Sequence, residues 1–114
     1  MTSSSRPTVA EIDLRNLRFN FRSCRKFLGP ELRIMAVVKA DAYGHGAVEC
    51  SKALEKEGVD WLGVATPEEA VEIRRSGVSS PILCLGGFWP GQEDLLIEHN
   101  VTPVVFELSH AAAI

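Results

Sequence analysis

The chain has 114 residues, 46% hydrophobic and 24% charged, with a formal net charge of −3. That length bounds it to one domain at most, and the mild acidity leaves no basic footprint for nucleic acid. No apolar run approaches the roughly 18 residues of a membrane span, and Met1–Arg6 is polar without an apolar core, so neither a span nor a secretory signal is visible and the expected location is cytoplasmic. Basic residues gather at Arg15, Arg18, Arg22, Arg25 and Lys26. Their spacing is helical, and they read as a solvated helix face. Cys24, Cys50 and Cys84 are odd in number and form no CxxC pair. They read as small buried hydrophobes of a reducing compartment, not as disulfides or metal ligands.

Along the chain, Arg6–Ile12 alternates weakly and predicts a short strand or arm over residues 1–12. From Asp13 the pattern turns helical. Leu14, Leu17, Phe21, Cys24 and Leu28 make one apolar stripe, with Asp13 as N-cap and Gly29-Pro30 as the stop. Ile34–Val38 predicts a buried strand, and Ala47, Cys50 and Leu54 the stripe of the next helix, which ends at Gly58. Trp61–Ala65 is a second strand. Thr66-Pro67-Glu68-Glu69 then starts a helix, with Thr66 as N-cap, Pro67 at its first position and Glu69 closing a capping box. A third strand is predicted at Pro81–Leu85, a helix at Gln92–His99, a fourth strand at Pro103–Phe106 and a further helix capped by Ser109.

Strand starts near residues 34, 61, 82 and 103 are about 27, 21 and 21 residues apart. Continuously apolar strands alternating with helices, without hairpin turns, predict an α/β fold with a parallel sheet of βα repeats. Right-handed crossovers leave two closures, an open doubly wound sheet or a barrel. A full (β/α)8 TIM barrel needs about 250 residues. Residues 13–114 would therefore be about half of one, incomplete at the C-terminus.

Lys39 carries the chemistry. Strand alternation sets Met35, Val37 and Lys39 on one face and Ile34, Ala36 and Val38 on the other. Lys39 thus falls where the strand runs out, the end at which barrels and open α/β sheets build active sites. An amine there is placed to form a Schiff base with an aldehyde, and an apolar wall would disfavour its charged form. From position alone, a solvated lysine closing a strand remains the blander reading. Gly44 and Gly46 permit the turn into the next helix, and Asp41 reads as a turn residue bonding nearby backbone. His45 has no partner at ligand spacing, so no metal site is expected. Trp61 and Trp89 read as packing residues.

The segment AVVKADAYGHG closely resembles the cofactor-lysine signature of fold-type III pyridoxal-phosphate enzymes, in the form found in the alanine racemase family. RPTVAEIDLRNLRFN, WLGVATPEEAVEIRRSG and PILCLGGF extend the resemblance, in the expected order, over nearly all of the chain from Arg6 onward. The resemblance implies that Lys39 holds pyridoxal 5'-phosphate and acts as acid/base on one face of the substrate Cα. It implies that Tyr43 hydrogen-bonds the cofactor phosphate and that Val37 and Leu85 line the pocket beside the ring. It further implies racemisation of alanine, D-alanine for peptidoglycan, and a homodimer in the full-length form whose partner subunit supplies the opposing tyrosine. That tyrosine, an arginine at the pyridine nitrogen, a histidine under the ring and most of the phosphate cradle have no position before Ile114. The expectation is therefore a partial sequence, inactive and poorly soluble in isolation. Three alternatives stay open: a non-catalytic cofactor carrier on the same barrel, which lacks AYGHG; another fold-type III racemase or decarboxylase; and an α/β fragment whose Lys39 carries nothing.

Overall fold

Asp13 starts the first helix, α1 (Leu14–Leu28), as its side chain predicts. In the computed structural model, which describes residues 6–114, its carboxylate accepts from the Arg15 N–H at 2.9 Å. Gly29, at φ 83°, closes the helix by donating to the Arg25 carbonyl at 2.9 Å. The remaining elements follow as β1 (Met35–Val37), α2 (Lys39–Tyr43), α3 (Ala47–Lys56), β2 (Trp61–Val64), α4 (Pro67–Arg75), β3 (Ile82–Cys84), α5 (Glu93–Glu98), β4 (Thr102–Pro103) and α6 (Leu108–Ala113).

Three expectations change. Residues 6–12 join neither a helix nor the sheet and are exposed throughout, so the predicted N-terminal strand is not formed there. The fourth strand is Thr102–Pro103 and not Pro103–Phe106: Pro103 pairs with Cys84, Val104 donates to the Cys84 carbonyl at 3.0 Å, and residues 104–106 are not in the ladder. The last helix begins one residue before Ser109, with Glu107 at its N-cap.

All four strands are parallel and lie in the order β1-β2-β3-β4. Each strand pairs with the next in sequence, and the order never reverses. This is the winding of a barrel wall, not of a doubly wound sheet with its switch point. The register aligns Ala36, Leu62 and Ile82 across three strands, and Val37, Gly63 and Leu83 one step further. Adjacent rows therefore face opposite sides. Leu62, Val64, Ile82 and Cys84 are sealed against the helices together with Leu54, Ala70, Ile73 and Leu96. α1 lies outside this layer, against α3, through Phe21 and the partly buried Leu14 and Leu17.

The basic stripe of α1 is tied down as well as solvated. Arg22 pairs with Glu57 and Arg25 with Asp60, each at 2.6 Å. At the amino ends of β3 and β4, the Arg74 guanidinium donates to the carbonyls of Val78, Ser80, His99 and Asn100 at 2.6–3.1 Å. The Cys50 and Cys84 side chains are buried as expected. Cys24 is exposed, because α1 packs along one narrow line that ends at Phe21.

Candidate active site

At the carboxyl end of β1 the chain leaves ordinary conformational space. Ala40, Asp41, Ala42 and Tyr43 lie at φ 50–55°, a full turn of left-handed helix built from L-residues. Each such residue costs roughly 1–2 kcal/mol, and the conformation persists only where its surroundings dictate it.

Several contacts do so. Ala42 N–H donates back to the Val38 carbonyl at 2.9 Å and Gly46 N–H to the Asp41 carbonyl at 2.9 Å. Gly44, at φ 86°, shares its N–H between the Ala40 and Asp41 carbonyls at 3.1 Å each. The Asp41 carboxylate accepts from Ala47 N–H at 2.8 Å and so anchors the start of α3. The Ala42 methyl is buried in the core beneath. His45 turns its ring Nδ1 to the Ala42 carbonyl at 2.9 Å. No group of three or more metal-ligating side chains occurs among the described residues.

Lys39 leads this turn and Tyr43 ends it. Both are exposed, and neither side chain has a hydrogen-bond partner among the described residues. The apolar wall expected around the Lys39 amine is therefore not supplied by this segment. Val37, 39% exposed, and Leu85, half-buried, flank the middle strand on the inner face of the sheet. Between them lies Gly63. A Cβ built there would stand 3.1 Å from Met35 Sδ, 3.2 Å from Leu85 Cδ1 and 3.5 Å from Val37 Cγ2. Glycine at this point is what lets the Val37 and Leu85 side chains close over the middle strand. The spacing WLGV gave no hint of it.

Glu69 was also missed, beyond its local role. The capping box forms: Thr66 Oγ1 accepts from Glu69 N–H at 3.2 Å, and Glu69 Oε1 accepts from Thr66 N–H at 3.1 Å and Ala65 N–H at 2.7 Å. The other oxygen, Oε2, accepts from Ala40 N–H at 2.7 Å, across 29 residues of sequence. One carboxylate thus joins the loops after β1 and β2. A neighbouring cavity of about 370 Å³ opens between the loops after β2 and β3, lined by Thr66, Phe88, Trp89 and His110 among others. It includes none of Lys39, Tyr43, Val37 and Leu85. Trp89 is 78% exposed there and lies outside the core, contrary to the expectation of a packing residue.

A parallel βα wall wound in sequence order, with a lysine at the mouth of its first strand, defines the class: the N-terminal portion of a (β/α)8 barrel built around a strand-end amine. The family model "Alanine racemase, N-terminal domain" matches residues 12–114, and the chain belongs to that family. It is 47% identical over 106 residues to alanine racemase 1 of Caldanaerobacter subterraneus subsp. tengcongensis, covering 93% of this chain and 27% of that protein. Its fold superposes on alanine racemase from Clostridium difficile 630 with a TM-score of 0.91 at 44% identity, over 97% of this chain and 29% of that one. The alanine racemase from Bartonella henselae, solved with covalently bound pyridoxal phosphate, matches with a TM-score of 0.78 at 31% identity, over 89% of this chain and 28% of that one. The chain thus spans less than a third of the length of each of these relatives. No helix among the described residues is long and apolar enough to cross a membrane.

Proposed function

We propose that this chain is the cofactor-lysine segment of a pyridoxal-phosphate-dependent enzyme that interconverts L- and D-alanine. One observation carries the reading: Lys39 stands at the mouth of β1 on a turn held in a costly conformation, beside an inner face where Gly63 leaves room for Val37 and Leu85 to approach over the middle strand. The groups present fit the cofactor. Lys39 offers an unengaged amine for its aldehyde, Tyr43 an unengaged hydroxyl for a phosphate oxygen, and Val37 and Leu85 an apolar edge for the ring. The covalent attachment in the Bartonella henselae relative supports the same assignment.

When bound, the cofactor supplies an electron sink for the pair left at the substrate Cα. The part of this chain is to place one base. Lys39 would hold the cofactor through its amine, and the same amine would take and return a proton at one face of Cα. Racemisation needs a second acid/base on the other face. In this proposal it comes from outside the segment, from the partner subunit of a cytoplasmic homodimer that supplies D-alanine for peptidoglycan.

The test is borohydride trapping on the full-length protein with pyridoxal phosphate, followed by peptide mapping. The expected adduct is on Lys39, and Lys39→Ala lowers alanine racemisation by about 10²–10⁴-fold. Trapping on another lysine with Lys39 untouched would overturn the assignment. Trapping on Lys39 without any change at the alanine Cα would mark a cofactor carrier instead.

A further inference from the structure

We propose that Glu69 is a positioning residue for Lys39, a role that rests on the reading of Lys39 given above. The Ala40 amide is part of the peptide plane that leaves Lys39, so holding it restricts the ψ rotation that orients the lysine Cα–Cβ bond. Glu69 Oε2 holds this amide at 2.7 Å while Oε1 holds Ala65 N–H at 2.7 Å and Thr66 N–H at 3.1 Å. Hydrogen bonds from N–H to a carboxylate are the short, strong kind. The negative charge also sits in the first turn of α4, where the helix dipole favours it.

The arrangement needs two acceptor oxygens. A capping box alone uses one, and glutamine would serve it. Reaching Ala40 at the same time requires the second. The left-handed run begins at Ala40, so the Glu69 bond lies at the first residue of the costly conformation. Asp41 secures the far end through Ala47. Lys39 is thus mounted on a turn clamped at both ends by carboxylates, one of them borrowed from the neighbouring βα unit.

Two variants of the full-length protein separate this role from helix capping. Glu69→Gln keeps volume and one acceptor oxygen, so it folds even where Glu69→Ala fails to. Thr66→Ala removes the hydroxyl half of the capping box and leaves the Ala40 contact in place. The readouts are the rate of borohydride-trapped pyridoxal-phosphate labelling at Lys39 against Lys26, Lys52 and Lys56, and hydrogen exchange at the Ala40 amide.

Glu69→Gln is expected to slow Lys39 labelling about 10- to 100-fold, the scale of an ångström-sized misplacement. It should also speed Ala40 exchange about tenfold or more. Thr66→Ala is expected to lower the melting temperature and leave both readouts near wild type. Folded Glu69→Gln protein with wild-type Lys39 labelling would overturn the role, as would Thr66→Ala slowing that labelling to the same degree. Absence of Lys39 labelling in the unaltered protein overturns the cofactor reading and this role with it. Labelling at Lys39 that is indifferent to Glu69 overturns this role alone.

Discussion

The two faces of the same short strands have opposite fates. Leu62, Val64 and Cys84 on the outer face are 0% exposed, whereas Met35 and Val37 on the inner face are 37% and 39% exposed. Residues one position apart on a strand thus belong to different problems. The outer layer is completed by this segment's own helices and holds the fold. The inner layer carries Val37 and Leu85, the residues proposed to face the cofactor, and is left part-open. In that proposal, stability and function are separated across the thickness of one sheet.

The sharpest way to break that comparison is a pair of truncations. Leu62→Ala removes a fully buried side chain from between sheet and helices, and chemical denaturation should show a loss of about 2–5 kcal/mol. Val37→Ala, on the open face, should lose less than about 1 kcal/mol, because the side chain is already partly in water. In the full-length protein it should loosen cofactor retention instead. Equal losses for the two variants would mean that the inner face carries as much of the folding energy as the outer one.

A smaller effect sharpens the contrast between local and long-range control of the loops. Thr66→Ala deletes one acceptor of the α4 capping box and should cost about 0.5–2 kcal/mol, read as a lower melting temperature. This loss is confined to the loop after β2, and the turn bearing Lys39 should keep its amide protection. A melting temperature unchanged by the substitution would show that the Glu69 carboxylate alone sets the start of α4.

The same division explains what could be read from residues in order. Asp13 and the Thr66–Glu69 box announce their helices because a cap acts within three residues. Alternation through Met35, Val37 and Lys39 places the lysine at the strand end because the side-chain period of a strand is local too. Strand order is not local, and the repeat spacing was compatible with a reversal that the structure does not make. The left-handed turn was hidden for a related reason. Ala40–Tyr43 contains no glycine, and its conformation is imposed by Asp41 reaching Ala47 and by Glu69 reaching Ala40 from another βα unit. Gly63 looked like an ordinary member of an apolar run. Its meaning appears only once Met35, Val37 and Leu85 from the two flanking strands surround it. The candidate site was thus visible as single residues, whereas the contacts that arrange them were not.

The smallest effect concerns the carboxylates that tie the outer layer together. Burial alone would raise the Glu55 carboxyl, but hydrogen bonds from Ser80 and Ser79 outweigh it and hold it below the ordinary glutamate value. Asp60 is held low by the Ile34 N–H first and by the Arg25 guanidinium second. In both cases the unfolded chain takes up protons before the folded one as pH falls. Stability therefore rises with pH across this range, is fully present above the unfolded carboxylate values, and is lost as pH drops through the depressed folded ones. Thermal melts should be flat between about pH 6 and 8 and should fall progressively below about pH 4.5, where free carboxylates begin to protonate. Glu55→Gln should lower the melting temperature at neutral pH and flatten part of the acid slope, because the variant has no proton to gain there. Glu69→Gln is the useful contrast, since its expected consequence is at Lys39. An acid slope unchanged by Glu55→Gln would assign the loss to other carboxylates and detach the Ser79–Ser80 loop from the acid response of the outer layer.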